Sequence, residues 1–127
     1  MVTTDVAQLA GECNAWRDTL RSRRNEFSHL KVRLQDVAAR QTHRDVLLEV
    51  EHLYNQFHIQ LINIHDLKQS VKAHERKIRM ENTSPEGQVT DEALAEHENL
   101  FDSFQHLENT LQEVSDEFDQ FVAAIRV

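Results

Sequence analysis

Residues 46–78 read VLLEVEHLYNQFHIQLINIHDLKQSVKAHERKI, and this stretch decides the fold because its apolar residues recur at helical spacing on two faces. At about 100° per residue, the larger apolar set falls on one side of a helix and forms a main stripe. A helix that is apolar on two sides is expected to lie between its own bundle and another surface. The main stripe comprises Val46, Val50, Leu53, Phe57, Leu61, Ile64, Leu67 and Val71, and the opposite set comprises Leu48, Ile59 and Ile62.

The composition predicts an all-α protein with a single domain. The 127 residues include only 2 Gly and 1 Pro, so little in the chain breaks regular backbone. Hydrophobic residues make up 39% and charged residues 28% of the chain, which favours a long, narrow core with wide solvated faces. We therefore expect residues 1–127 to form one helical-bundle domain.

The chain also has the features of a cytoplasmic protein. It contains no run of 18 apolar residues, and its start, MVTTD, is polar rather than a charged and then apolar leader. Cys13 is the one cysteine, so no internal disulfide can form, which suits a reducing compartment. We expect a cytoplasmic location and no membrane partner.

Charge is unevenly distributed along the chain. The net charge is −8, and residues 85–127 hold 11 of the 22 acidic residues but 1 of the 14 basic ones. A basic cluster is present at Arg17, Arg21, Arg23 and Arg24. Nucleic acid is not an expected partner, because binding it requires more extensive positive charge to displace counterions. We expect these arginines to face the acidic third helix instead.

Heptad spacing predicts three long, coiled-coil-like helices at about residues 4–39, 43–81 and 90–126. Thr90 is a well-marked N-cap for the third helix, and Thr42 is a candidate N-cap for the second. No Gly or Pro marks the first boundary, so one long bent helix through residue 40 is an alternative. The core positions of the first helix are Val6, Leu9, Cys13, Trp16, Leu20, Arg23, Phe27, Leu30, Leu34 and Val37, and those of the third are Ala93, His97, Leu100, Phe104, Leu107, Leu111, Val114, Phe118, Phe121 and Ile125.

Three helices of similar length with short connections are expected to form an up-down-up antiparallel bundle. The alternative is a long hairpin that completes its core by dimerising. In the bundle, residues equidistant from a turn lie at the same level, so Arg23 should meet Gln60, and His74 should meet His97. We predict near-complete burial of Leu30, Phe57 and Phe104, and exposure of Glu113 and Asp116.

The expected His74 and His97 pair has two interpretations. The favoured one is a buried polar layer that fixes register, with no metal or cofactor bound. The alternative is a zinc or copper site in which Cys13 or Glu12 joins the two imidazoles. No catalytic residue and no cofactor-binding residue is predicted.

Two other spacings carry possible chemistry. Glu26 with His29 and Glu49 with His52 each form a Glu-x-x-His pair, as in ferritin-like di-iron proteins, but helical geometry points both pairs sideways from the core. Arg24 and His29 resemble the Arg-x4-His signature of helical nucleases of the HEPN type, yet they lie on a flank that should be exposed. Both observations favour a solvated surface over an active site.

The middle of the second helix carries a family resemblance. Asn55-Gln56-Phe57, followed by His65-Asp66-Leu67, resembles an uncharacterised family of short, acidic, helical proteins typical of Bacteroidetes. The resemblance implies a bacterial cytosolic protein and transfers no active site.

The sequence as a whole favours a non-enzymatic helical module for protein interaction or scaffolding. Its expected self-association is a homodimer formed through the outer face of the second helix, because the main stripe already satisfies contacts inside one bundle. The second hypothesis is a metal-binding bundle, and the third is a small helical hydrolase or nuclease. The predicted interface residues are Leu48, His52, Asn55, Ile59 and Ile62.

Overall fold

The computed structural model describes residues 6–82 and 89–125, and it is built there from three long α-helices. Helix α1 spans Val6–Ala38, α2 spans Arg44–Asn82 and α3 spans Asp91–Ile125. The all-α three-helix bundle is thereby confirmed, with each described boundary within two residues of its predicted position. The predicted helical residues 4, 5 and 126, and most of the predicted loop, residues 83–88, lie outside the described part of the chain.

Helices α1 and α3 run in the same direction. Glu12 contacts His97, and Arg23 contacts Glu108, with the same separation of 85 residues in both pairs. A constant separation is possible only when two helices are parallel and in register. Between α2 and α3 the separation instead grows away from the turn, from 23 residues for His74 and His97 to 65 for His52 and Glu117. These two helices are antiparallel, and the topology is up-down-up.

The first two helices are separate, so the alternative of one continuous bent helix is wrong. Helix α1 ends at Ala38, and a tight turn follows in which the Gln41 amide donates to the Ala38 carbonyl at 3.1 Å. The first backbone hydrogen bond of α2 runs from the Leu47 amide to the His43 carbonyl, at 3.0 Å. This bond makes His43 the N-cap rather than the predicted Thr42.

Thr90 caps α3 as predicted. Its hydroxyl oxygen accepts a hydrogen bond from the Ala93 amide at 3.1 Å, and its carbonyl accepts one from the Leu94 amide at 3.0 Å. The Thr90 hydroxyl also donates to the Glu81 carboxylate in the last turn of α2, at 3.2 Å. The cap therefore joins the end of one helix to the start of the next.

The core consists of two clusters along the bundle axis. The larger one is centred on Phe57, whose ring meets Phe27 and Phe118 edge-on at centroid distances of 5.7 and 5.6 Å. All three rings are fully buried, and edge-to-face packing suits their charge distribution. The smaller cluster contains Cys13, Trp16 and Val71 and lies toward the α2–α3 turn. The candidate site belongs to this second cluster.

Burial agrees with four of the five predictions made for single residues, and Phe104 differs. Leu30 and Phe57 are buried while Glu113 and Asp116 are exposed, as predicted. Phe104 is only partly buried, because α1 and α3 make the least extensive contact in the bundle and leave its ring, which stacks on Trp16, open on one side.

The predicted pairing of Arg23 with Gln60 is also wrong. The Arg23 guanidinium instead donates to Glu108 of α3 at 3.1 Å and to Glu26 of α1 at 2.9 Å. Gln60 stays buried and accepts a hydrogen bond from Asn63 at 3.2 Å. A long flexible side chain can leave its layer to pair its charge with nearby carboxylates, which a heptad pattern does not show.

Candidate metal centre

Cys13, His74 and His97 meet in the smaller core cluster, and each comes from a different helix. All three occupy apolar-stripe positions at the same level of the bundle, so helix packing alone brings them together. The Nε2 atom of His74 lies 3.0 Å from Nδ1 of His97, and Sγ of Cys13 lies 4.0 Å from the same Nδ1. The predicted His74 and His97 layer is thereby confirmed as a contact, with Cys13 beside it.

These distances are close to those of a metal site. The three donor atoms all lie within 4.8 Å of one another. Around a tetrahedral zinc ion, nitrogen and sulfur donors lie roughly 3.3 to 3.6 Å apart, given the usual Zn–N and Zn–S bond lengths. The 3.0 Å nitrogen pair and the 4.0 Å sulfur–nitrogen pair are each within about half an ångström of that spacing.

Two carboxylates lie beside the histidines, each near the ring nitrogen that does not face the other imidazole. Nε2 of His97 lies 3.0 Å from a Glu12 oxygen, and Nδ1 of His74 lies 3.5 Å from a Glu96 oxygen. In protein metal sites the non-ligating nitrogen of a histidine almost always donates to such a partner, which fixes the ring and raises its basicity. His97 has such a partner in Glu12, whereas Glu96 lies near His74 without forming a hydrogen bond to it.

The hydrogen bonds of the His74 and His97 pair contain a conflict between neutral tautomers. When Nε2 of His97 donates to Glu12, its Nδ1 presents a lone pair to His74. If His74 carries its proton on Nε2 and donates it to His97, its Nδ1 presents a lone pair to the Glu96 carboxylate. That Nδ1 is buried and has no hydrogen-bond partner. If that proton sits on Nδ1 instead, two lone pairs face each other at 3.0 Å. A cation between the two rings removes the conflict.

The cluster is enclosed by apolar and aromatic side chains. Cys13 is 0%, His74 1% and His97 6% exposed. The ring centroid of Trp16 lies 4.7 Å from that of His97. The Phe101 ring stacks on Trp16 at a centroid distance of 5.9 Å. An ion held here would be isolated from bulk water.

Burial also shifts the acidity of two of the donors. It raises the pKa of the Cys13 thiol to about 11, with Glu75 and Glu12 contributing in the same direction. Burial lowers the pKa of His74, and the nearby Glu96 opposes that shift only in part. Without a metal, both groups are therefore neutral at pH 7, and metal binding releases the thiol proton.

Glu96 is the member of this site that the sequence analysis missed. It precedes His97 on the flank of α3 and also accepts a hydrogen bond from Lys77 at 3.2 Å. The level rule that paired His74 with His97 also places residue 77 beside residue 96, so the signal was present. Glu96 lies on the flank of α3 rather than on its apolar stripe, so the heptad pattern alone does not mark it.

A second group of potential ligands lies on the surface. Glu49, His52 and Glu117 bring their donor atoms within 4.8 Å of one another, and His52 is 2.9 Å from Glu117. The imidazole is about half exposed, so the contact is that of a solvated ion pair. Glu26, which a di-iron site would need, accepts a hydrogen bond from Arg23 instead.

The other predicted positions lie on the surface. Leu48, Ile59 and Ile62 are 53%, 45% and 48% exposed on the outer side of α2, and Asn55 is exposed beside them. The fifth predicted interface residue, His52, reaches toward α3 through its contact with Glu117. Arg24 and His29, which carry the nuclease-like spacing, are both exposed on α1.

Comparison with family models, curated proteins and solved structures finds no significant match to this chain. The resemblance to short acidic helical proteins of Bacteroidetes stays a prediction. No helix within residues 6–82 and 89–125 combines the length and apolarity that a bilayer crossing demands.

Proposed function

We propose that this chain is a non-enzymatic helical bundle that binds one zinc or copper ion through Cys13, His74 and His97. The observation that carries the proposal is the convergence of three buried donors, one from each helix, with both histidines backed by carboxylates. Thiolate and imidazole donors suit zinc and copper rather than magnesium or calcium, which prefer oxygen.

The role proposed for the ion is structural. Each ligand comes from a different helix, so the ion fixes α1, α2 and α3 to one another at a single level. The donors are buried under Trp16, which hinders the approach of a substrate to the ion. A metal that binds only the folded chain adds its binding free energy to the stability of the fold.

Elemental analysis of the purified protein tests the proposal. Protein stripped with a chelator, incubated with zinc and dialysed should retain one zinc per chain. Cys13→Ser and the double variant His74→Leu, His97→Leu should lose it, because each removes a donor at nearly constant volume. His58→Ala, His65→Ala is the matched control, since both histidines are exposed. A parent that retains no metal, or ligand variants that bind as well as the parent, would show the proposal to be wrong.

A second candidate function is the protein-interaction module that the sequence favours. Its support is the exposure of Leu48, Ile59 and Ile62 on one side of α2, where burial against a partner would remove three large apolar side chains from water. The proposed partner is a second copy, which would present the same face in a closed dimer. A structural metal and this interface can coexist, because the ion lies inside the bundle.

A further inference from the structure

A continuous basic surface crosses α1 and α2, although the protein as a whole is acidic. Basic residues recur every three or four positions on each helix, and the antiparallel packing places the two rows side by side. The two rows are about 50 residues apart in the chain, so no local run of charge in the sequence reveals the surface. This surface, called the basic face below, comprises Arg17, Arg21 and Arg24 from α1 and Lys68, Lys72, Arg76 and Arg79 from α2.

The basic face is only partly neutralised within the molecule. Glu75 lies 2.9 Å from Arg17 and 3.9 Å from Arg79, and Asp18 lies 3.9 Å from Arg21. Over residues 6–82 and 89–125, no ion pair reaches the remaining members, which are Arg24, Lys68, Lys72 and Arg76.

Like charge is crowded around Lys68, the first member of the α2 row. Its pKa is lowered, first by loss of hydration and then by the surrounding cations. Farther along, the face forms an open depression of about 320 Å³. The cations acting on Lys68 are Arg21, Lys72, Arg24 and Arg17, and the depression is lined by Arg17, Lys72, Glu75, Arg76 and Arg79. The face is therefore a concave surface with excess positive charge.

The outer side of α3 has the opposite character. Its exposed carboxylates have no ion-pair partner in the described chain, and the arginine cluster that was expected to neutralise α3 reaches it only through Arg23, which binds Glu108 at 3.1 Å. The other three arginines of the cluster belong to the basic face. The unpaired carboxylates include Asp91, Glu98, Asp102, Glu113 and Asp119.

We propose that the basic face binds the acidic outer side of α3 from a second copy of this chain. Lys68 to Arg79 and Asp91 to Asp102 span the same number of residues, and both rows follow the rise of an α-helix, so the charges can align over about three turns. A single-stranded nucleic acid fits less well, because the face contains no aromatic side chain on which a base could stack.

The proposed contact joins two different surfaces, so it is heterologous and each bound copy keeps one free face. Association of this kind continues past the dimer, unlike a closed pairing through Leu48, Ile59 and Ile62. It also depends on attraction between exposed charges. The range of that attraction, the Debye length, is about 30 Å at roughly 10 mM salt and about 3 Å at roughly 1 M salt. Salt and stoichiometry therefore distinguish the two interfaces.

Sedimentation equilibrium of the full chain at low and high salt tests the proposal. At low salt the mean mass should rise with concentration beyond that of a dimer, and this rise should disappear at high salt. Lys72→Glu, Arg76→Glu should weaken association by about tenfold or more, because two attractive contacts become repulsive. Arg40→Glu, Arg44→Glu changes the net charge equally at exposed sites outside the basic face and should associate as the parent does.

Complementary charge reversal identifies the partner surface. Glu98→Lys, Asp102→Lys alone should also lose the salt-dependent association, whereas its mixture with Lys72→Glu, Arg76→Glu should regain it, because reversed faces again meet opposite charge. A parent that shows no salt-dependent association, or a mixture that does not regain it, would contradict the proposal. Binding of a single-stranded nucleic acid by a parent without salt-dependent association would assign the face to that ligand and would equally overturn it.

Discussion

Nε2 of His74 lies 3.0 Å from Nδ1 of His97, and the two atoms are held there by α2 and α3, whose packing brings residues 23 apart in the chain into contact. Cys13 from α1 completes the group. A cation bound between the facing nitrogens would let His97 keep its hydrogen bond to Glu12 and would leave the Nδ1 proton of His74 directed toward Glu96. This relationship connects the bundle topology to the proposed metal site.

Acid should destabilise the metal-free protein. Because the pKa of His74 is lowered in the fold from its usual 6.5, the unfolded chain binds more protons as the pH falls. The free energy of unfolding should decrease as the pH drops through about 6.5, and this loss should level off below the folded-state pKa. Urea unfolding at a series of pH values measures this loss of stability. The groups that act on the charge of His74 are Glu96, His97 and Lys77.

The double variant His74→Leu, His97→Leu supplies the control for that measurement. It should lose the pH-dependent part of the stability near pH 6, whatever its absolute stability. An unchanged pH profile would mean that the buried pair is not the group that titrates.

Phe57→Ala should destabilise the fold by about 3 to 5 kcal/mol, because its fully buried ring lies between Phe27 and Phe118 and its loss leaves a cavity. Glu113→Ala at an exposed position of α3 should change stability by less than about 0.5 kcal/mol. Chemical denaturation measures both variants. Equal stabilities for the two would remove the basis for placing Phe57 at the centre of the core.

Zinc should stabilise the parent but not Cys13→Ser. At a free zinc concentration of 100 times Kd, binding to the folded state alone adds about 2.7 kcal/mol to the free energy of unfolding. Thermal unfolding of chelator-treated protein with added zinc or magnesium measures the effect, and magnesium should produce none. An equal rise in the melting temperature of parent and Cys13→Ser would indicate binding elsewhere.

The outer face of α2 predicts a closed dimer. Ile59→Lys, Ile62→Lys should give a folded monomer in light scattering, because each lysine would bring an unpaired charge into an apolar contact. High salt should leave the parent dimer intact. A monomeric parent at high concentration, or a dimer that survives both substitutions, would exclude this interface.

Much of the fold follows from the sequence because apolar periodicity fixes both the helices and their inward faces. The same periodicity aligned His74 with His97, since packing equal-length helices sets their levels. The N-cap of α2 was misplaced because neither Gly nor Pro marks the turn, and the choice between Thr42 and His43 depends on where one backbone bond forms.

The sequence predicts the three donors of the candidate site, but it does not predict the residues around them. A heptad position shows that a residue faces inward, but it does not show how closely two helices approach, and Phe104 remains partly exposed for that reason. The carboxylate of Glu96 and the basic face depend on flank residues. Their meeting is set by side-chain reach and helix rotation, which the apolar pattern does not specify.

Zinc K-edge X-ray absorption of the zinc-loaded protein tests the central claim most directly, because it reports the atoms bound to the ion. The spectrum should show one sulfur at about 2.3 Å together with nitrogen donors at about 2.0 Å, including the multiple-scattering features of two imidazoles. The sulfur shell should disappear in Cys13→Ser. A first shell of nitrogen and oxygen alone in the parent would contradict the proposed site.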